Sequence, residues 1–192
     1  MTSESKAEPF GAEGRLASFE HLLMPHLGAA YNLARWLTRD DQNAEDLVQD
    51  AYLRALKAFD AFRGGDGRAW LLSIVRNTCY TWLRQSGPGR LDAVFDEEVH
   101  SAEGDALNPE AVLLEAQDRQ LLEQALEELP LEFREVLIMR ELEGLSYKEI
   151  AEVAALPMGT VMSRLARARK RLQLGLVHGE PGALSNKLTA LD

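Results

Sequence analysis

Apolar positions recur every three or four residues along most of the chain, the spacing of helices with one buried face. From Leu16 to Leu37, the residues Phe19, Leu23, Leu27, Ala30, Ala34 and Leu37 fall on such a face, and Pro25 is placed to kink the segment or start its second half. The next stretch, "NAEDLVQDAYLRALKAF", offers Asn43 as an N-cap and puts acids in the first turn. Its Leu47, Val48, Ala51, Ala55 and Phe59 point one way and leave Glu45, Asp46, Gln49 and Asp50 outward. A turn-rich break, "RGGDG", precedes "RAWLLSIVRNTCYTWLR". There Leu71, Ile74, Val75, Thr78 and Trp82 form the apolar stripe, while Ala69, Ser73, Arg76, Tyr80 and Arg84 form a different face.

After Arg84 the periodicity stops, and residues 86–108 combine Gly87, Pro88 and Gly89 with a run of acids, the composition of an acidic flexible linker. Asn108 and Pro109 then suit the start of a helix reaching Leu129, and Pro130 opens another that ends near Gly144. Ser146 with Glu149 three residues later makes a capping-box pattern for a short helix ending near Ala155. Pro157 sits where the first turn of a further helix tolerates it. Two helices joined so tightly have the form of a helix-turn-helix. The expected architecture is all-α: a mobile leader (1–14), a first helical domain (15–85), the acidic linker, a second helical domain with the helix-turn-helix (109–173), and a loose tail (174–192).

The totals narrow the chemistry. The chain has 192 residues, 46% of them hydrophobic, enough for buried cores in two small units. Cys79 is the single cysteine, which excludes an internal disulfide and a thiolate metal cluster. His21, His26, His100 and His178 are scattered without a metal or nucleophile motif, so the chain is not expected to be an enzyme or to need a cofactor. The start, "MTSESKAEPFGAEG", lacks the features of a secretory signal, and no stretch approaches the roughly 20 apolar residues of a membrane span. A cytoplasmic protein without membrane insertion is expected.

A formal net charge of -10 argues against unaided coating of nucleic acid, which relies on cationic neutralisation of phosphates. One segment runs against that charge. "LPMGTVMSRLARARKRL" holds five basic residues and no acid. Val161, Leu165, Ala168 and Leu172 make its packing stripe. Thr160, Arg164, Arg167 and Arg171 make a second stripe, with Ser163 and Lys170 beside it. Arginine forks span guanine acceptors or clasp phosphates, and the helix-turn-helix context favours a groove reader over a solvated basic helix end.

Two blocks, "NAEDLVQDAYLRALKAFDAFRG…RAWLLSIVRNTCYTWLR" and "LEELPLEFREVLIMRELEGLSYKEIAEVAALPMGTVMSRLARARKRL", resemble a bacterial RNA polymerase sigma factor of the extracytoplasmic-function group. The resemblance implies a non-enzymatic factor that binds core RNA polymerase, directs it to promoter DNA and helps open the duplex at a stress- or signal-responsive regulon. It implies that Glu45, Asp46, Gln49 and Asp50 dock on the clamp helices of the largest polymerase subunit; helix capping and solubility also account for these acids. It assigns the promoter's -10 element to Arg63, Arg68, Trp70, Ser73, Arg76, Asn77 and Tyr80. A Gly-rich loop beside aromatic and amide side chains suits the capture of unstacked bases, although Trp70 and Trp82 also suit a core. It assigns the -35 element to Lys148, Thr160, Ser163, Arg164, Arg167 and Arg171 in the second unit, which also meets the polymerase flap region. The linker would imitate nucleic-acid charge in the polymerase channel or serve as a spacer. An anti-sigma protein is a further partner the resemblance allows. Thr81, followed by "WLRQSGPGR", stands where family members frequently carry Asp followed by several basic residues, a departure from the family pattern within the segment that the resemblance assigns to the -10 element.

Two other readings use the same features. A one-module helix-turn-helix regulator would share the C-terminal unit, but the N-terminal half lacks the strand-helix alternation of a typical receiver. A sigma-like decoy that titrates an anti-sigma protein would not need the basic reading face.

Overall fold

The computed structural model describes residues 12–86 and 119–178, so the expected leader up to residue 11, the linker from residue 87, the helix start expected at Asn108 and Pro109, and the tail beyond His178 lie outside the described residues. Within them the chain is helical, with no strand. The first unit comprises α1 (Ala12–Leu23), α2 (Leu27–Thr38), α3 (Asp41–Ala58) and α4 (Gly67–Ser86). A 3₁₀ turn, Met24–His26, separates α1 from α2, and Pro25 sits in it as a first-turn residue. The proline therefore breaks the apolar segment into two helices.

α2, α3 and α4 pack on one another. Leu33, Ala34 and Leu37 of α2 meet Ala44, Ala51 and Ala55 of α3 and Leu71, Leu72 and Val75 of α4, all buried. Small alanines on α3 allow close approach of the helices. Asp40, rather than the expected Asn43, caps α3: its backbone is extended and its side chain accepts the Asn43 N–H at 2.7 Å. Asn43 lies inside the first turn because Arg39, at φ 57°, has already ended α2 and turned the chain. Gly67 starts α4 where a side chain has no room, since an added Cβ would lie 2.7 Å from Leu22 Cγ. The apolar stripe of α4 is wider than the period suggests, because Leu72 and Cys79 are also fully buried whereas Ile74 and Trp82 are only partly so.

The second unit opens with a helix over described residues 119–127, followed by α5 (Leu131–Leu137), α6 (Tyr147–Ala154) and α7 (Met158–His178). α5 continues into a π-helical turn, Ile138–Leu142, in which the Glu143 N–H donates to the Ile138 carbonyl at 3.1 Å. Gly144, at φ 66°, then reverses the chain. The capping box at α6 is present in both directions: the Ser146 hydroxyl accepts from Glu149 N–H, and the Glu149 carboxylate accepts from Ser146 N–H at 2.6 Å. α7 carries on past Leu174 to His178, so the first residues assigned to the tail are helical, and a Cβ added at Gly175 would lie 3.5 Å from Ala125 Cβ.

The two units are not separate bodies. α4 packs along α6, and α2 touches α5. The buried side chains of both units form one continuous cluster. Much of the α4 face that carries Ala69, Ser73, Arg76 and Tyr80 is thus directed at the second unit.

Candidate nucleic-acid and polymerase interfaces

The basic helix is built as its periodicity requires. Val161, Leu165, Ala168 and Leu172 are buried against the rest of the second unit, which turns the other side of α7 outward. On that side Ser163, Arg167, Lys170 and Arg171 are exposed, and Thr160 and Arg164 are half-buried. Arg171 lies over the Phe133 ring at 5.1 Å, a contact that orients the guanidinium without neutralising it. Arg169 is paired with Glu141 at 2.8 Å and so stands apart from the stripe of Thr160, Arg164, Arg167 and Arg171. Lys148 is exposed on α6.

Arg164 is different. Its Nη1 donates to Glu135 of α5 at 3.2 Å, and Glu135 is wholly buried. The same carboxylate accepts from Arg76 Nε at 2.7 Å, from Arg76 Nη2 at 3.2 Å and from the Tyr80 hydroxyl at 2.9 Å. Burial disfavours the Arg76 charge, but the Glu135 carboxylate outweighs it and holds the guanidinium pKa above its usual value. Burial, then the Glu135 charge, push the Tyr80 phenol up, so Tyr80 remains a donor. Arg76 also stacks over the Tyr80 ring at 4.2 Å.

A second contact joins the units beside it. Arg68 Nη2 donates to the Glu143 carbonyl at 2.6 Å and to its carboxylate at 2.8 Å, and Asn32 Nδ2 donates to the same carboxylate at 3.1 Å. Of the residues expected at the -10 element, Arg68, Arg76 and Tyr80 therefore face the second unit, while Asn77 is exposed.

Arg63, Trp70 and Ser73 do meet, around an open cleft of about 400 Å³. Gly64 and Gly65, at φ 85° and 107°, form its loop, a conformation that favours glycine. Trp70 is half-buried and packs on Phe62 with ring centroids 4.8 Å apart, and Phe62 stacks on Phe59. Trp70 is thus both a packed residue and a wall of the cleft. Glu152 of α6 also lines the cleft, a participant that sequence spacing could not reveal. The start of α4 is fixed by Asp66, whose carboxylate accepts from Arg68 N–H at 2.9 Å.

On α3, Glu45, Asp46 and Gln49 are exposed and Asp50 is half-buried in an ion pair with Arg54 at 2.8 Å. Leu53, 58% exposed, shares this face at helical spacing from Asp46, Gln49 and Asp50. Its one mark in the sequence is a leucine outside the Leu47/Ala51/Ala55 stripe. Among the described residues there is no cluster of His, Cys, Asp and Glu able to hold a metal, and no helix long and apolar enough to cross a membrane. Cys79 is buried, and burial pushes its thiol up to about 12.

Residues 22–88 match the family model for sigma-70 region 2, and residues 119–172 match that for sigma-70 region 4. An ECF RNA polymerase sigma-E factor of Escherichia coli K12 is 39% identical over 136 residues, which span 66% of this chain and 70% of that protein. The ECF RNA polymerase sigma factor SigE of Mycolicibacterium smegmatis is 31% identical over 163 residues, 85% of this chain but 63% of the relative's length. Among solved structures, the sigma factor RpoE from Bartonella quintana, in complex with the anti-sigma factor NepR, matches with a TM-score of 0.66 and 33% identity, covering 83% of this chain and 96% of that one. CnrH, in complex with the cytosolic domain of CnrY, matches with a TM-score of 0.61 and 26% identity, covering 88% and 94%.

Proposed function

This chain belongs to the ECF RNA polymerase sigma factors, and from that premise we propose that it binds core RNA polymerase and directs it to a particular set of promoters, where it helps open the DNA. It acts in the cytoplasm, and it contributes recognition and strand capture rather than a chemical reaction of its own.

The observation that carries this reading is the pairing of both family blocks, in order, with a basic helix whose apolar stripe is buried and whose neighbouring stripe, about a quarter-turn away, is cationic. Residues 109–173 read the -35 element, with Lys148, Thr160, Ser163, Arg164, Arg167 and Arg171 supplying groove and phosphate contacts. Residues 15–85 dock on polymerase through Glu45, Asp46, Gln49 and Asp50, with Leu53 as an apolar centre of that charged face. The Gly64–Gly65 cleft with Arg63, Trp70, Ser73 and Asn77 receives bases of the -10 element, and Arg68, Arg76 and Tyr80 join once they are released from the second unit. An anti-sigma protein is the regulatory partner, a reading supported by the two solved neighbours, each of which has a bound regulatory or cytosolic partner chain.

Run-off transcription with purified core polymerase and a promoter mapped after overexpression tests the reading. A discrete product that requires this chain is expected. Formation of a chain–polymerase complex that never yields a product would favour the decoy, and tight duplex binding without any polymerase complex would favour an ordinary regulator.

A further inference from the structure

α7 has a face that neither its packing nor its cations account for. Gly159, Ser163 and Ala166, all exposed, follow one another at helical spacing opposite the buried Val161/Leu165/Ala168/Leu172 stripe and form an outward ridge of small residues. One flank of the ridge is the stripe of Thr160, Arg164, Arg167 and Arg171. The other flank carries Met158 and Met162, one turn apart, 50% and 53% exposed. Arg169 shares this second flank further along the helix, but its charge is already met by Glu141. The methionine flank is therefore apolar where the opposite flank is cationic. Two exposed apolar side chains side by side add nothing to the core and keep apolar surface in water, an unfavourable arrangement until a partner covers them.

Gly159 points to the same partner. Its φ is not positive, and a Cβ added there would meet nothing within 4 Å. Nothing among the described residues calls for glycine at this position, and glycine is a poorer helix former than alanine. What its missing side chain provides is a bare patch at the start of α7, beside Met162 and Ser163, that another surface can approach closely. The floor of a major groove fits all three features. It admits a helix, its phosphate walls suit the cationic flank, and thymine alone among the four bases presents a methyl group there. The flexible, polarizable thioether chain of methionine can mould itself over such a methyl.

Resting on the sigma-factor reading above, we propose that Met162 is a specificity-determining residue, whose side chain covers the 5-methyl group of a thymine in the -35 element, with Met158 extending the same apolar edge. At that base pair the chain selects by apolar contact with a methyl group, while the forks on the opposite flank select and anchor by hydrogen bonds and charge.

The test uses the full chain assembled with core polymerase and a promoter mapped after overexpression, its -35 element randomised and the bound duplexes selected. Each thymine of the selected element is then replaced in turn by deoxyuridine, which lacks only the methyl group. The wild-type holoenzyme is expected to lose about fourfold in affinity at one thymine, the factor that burial of one methyl group contributes. Met162→Ala should bind the thymine duplex about fourfold more weakly than wild type and treat thymine and uracil alike, whereas Met162→Leu, still apolar and of similar size, should keep the uracil penalty. Thermal melts of both variants should match wild type, because the side chain is exposed. A wild type indifferent to the methyl at every thymine of the element, or an equal uracil penalty in Met162→Ala, overturns the assignment. Weaker assembly of Met162→Ala with core polymerase, with the uracil penalty unchanged, overturns it too and places the flank against protein. A holoenzyme that transcribes but ignores the methyl sinks this inference alone, while failure to form a transcribing holoenzyme on any promoter sinks the sigma-factor reading with it.

Discussion

Arg76 of α4 grips Glu135 of α5 with two nitrogens, at 2.7 and 3.2 Å, although 59 residues separate them in the chain. With Arg164 bound to the same carboxylate from α7, one buried acid ties both units together. Removing it exposes what the ion pairs balance. Glu135→Ala should leave two guanidiniums and the Tyr80 hydroxyl without an acceptor and lower unfolding stability by about 3 kcal/mol, within the usual cost of breaking a buried pair from one side. Urea denaturation followed by circular dichroism measures this, and a loss below about 1 kcal/mol would mean the site rehydrates freely.

Gly67 lies where α4 begins against α1, with the space of a methyl group already taken by Leu22. Gly67→Ala should destabilise the first unit by about 1–2 kcal/mol through overpacking, despite alanine's better helix propensity. A thermal melt that rises instead would show that Leu22 moves aside without cost.

The capping box of α6 gives the helix-turn-helix a defined acid response. The Ser146 hydroxyl and then its backbone N–H hold the Glu149 carboxyl below the usual carboxylate range. A depressed folded-state pKa adds stability that is present above the ordinary glutamate value, about 4.3, and is lost as pH falls through the folded value. The stability difference between wild type and Glu149→Gln should therefore be largest near neutrality and shrink on acidification below that range. A difference that is flat from neutral to acid pH would assign the cap's effect to hydrogen bonding alone.

Two surfaces should separate by function. Arg167→Ala removes an exposed fork from the reading stripe and should lower transcription about tenfold or more, the scale of losing one base-reading pair, with polymerase binding unchanged. Asp46→Lys with Leu53→Ala should instead weaken assembly with core polymerase by about tenfold or more, as expected if an apolar anchor is ringed by charge. Native gel shifts with core enzyme, run beside transcription assays, distinguish the outcomes. Loss of assembly in Arg167→Ala would move that residue out of the DNA interface.

Helical periodicity was enough to identify the packing stripe of α7 and the alanine-rich face of α3, because both are set by apolar residues repeating on one face of one helix. The Ser146–Glu149 cap was equally legible, being a contact three residues long. Asp40 was missed as the α3 cap because the end of α2 at Arg39, a non-glycine residue in the left-handed region, carries no sequence mark. Cys79 and Leu72 were buried beyond the single stripe because α4 is covered from more than one side, by α2 and α3 and by the second unit.

The amino-acid order by itself determined the helical class, the two blocks, the basic stripe and the outward acidic face of α3, since each arises from neighbours a few residues apart. Only the tertiary structure decided that Glu135 and Glu143 would hold Arg68, Arg76, Tyr80 and Arg164. A carboxylate in a helix has no preference among distant cations until packing brings one within hydrogen-bond reach and removes the water that would otherwise screen it.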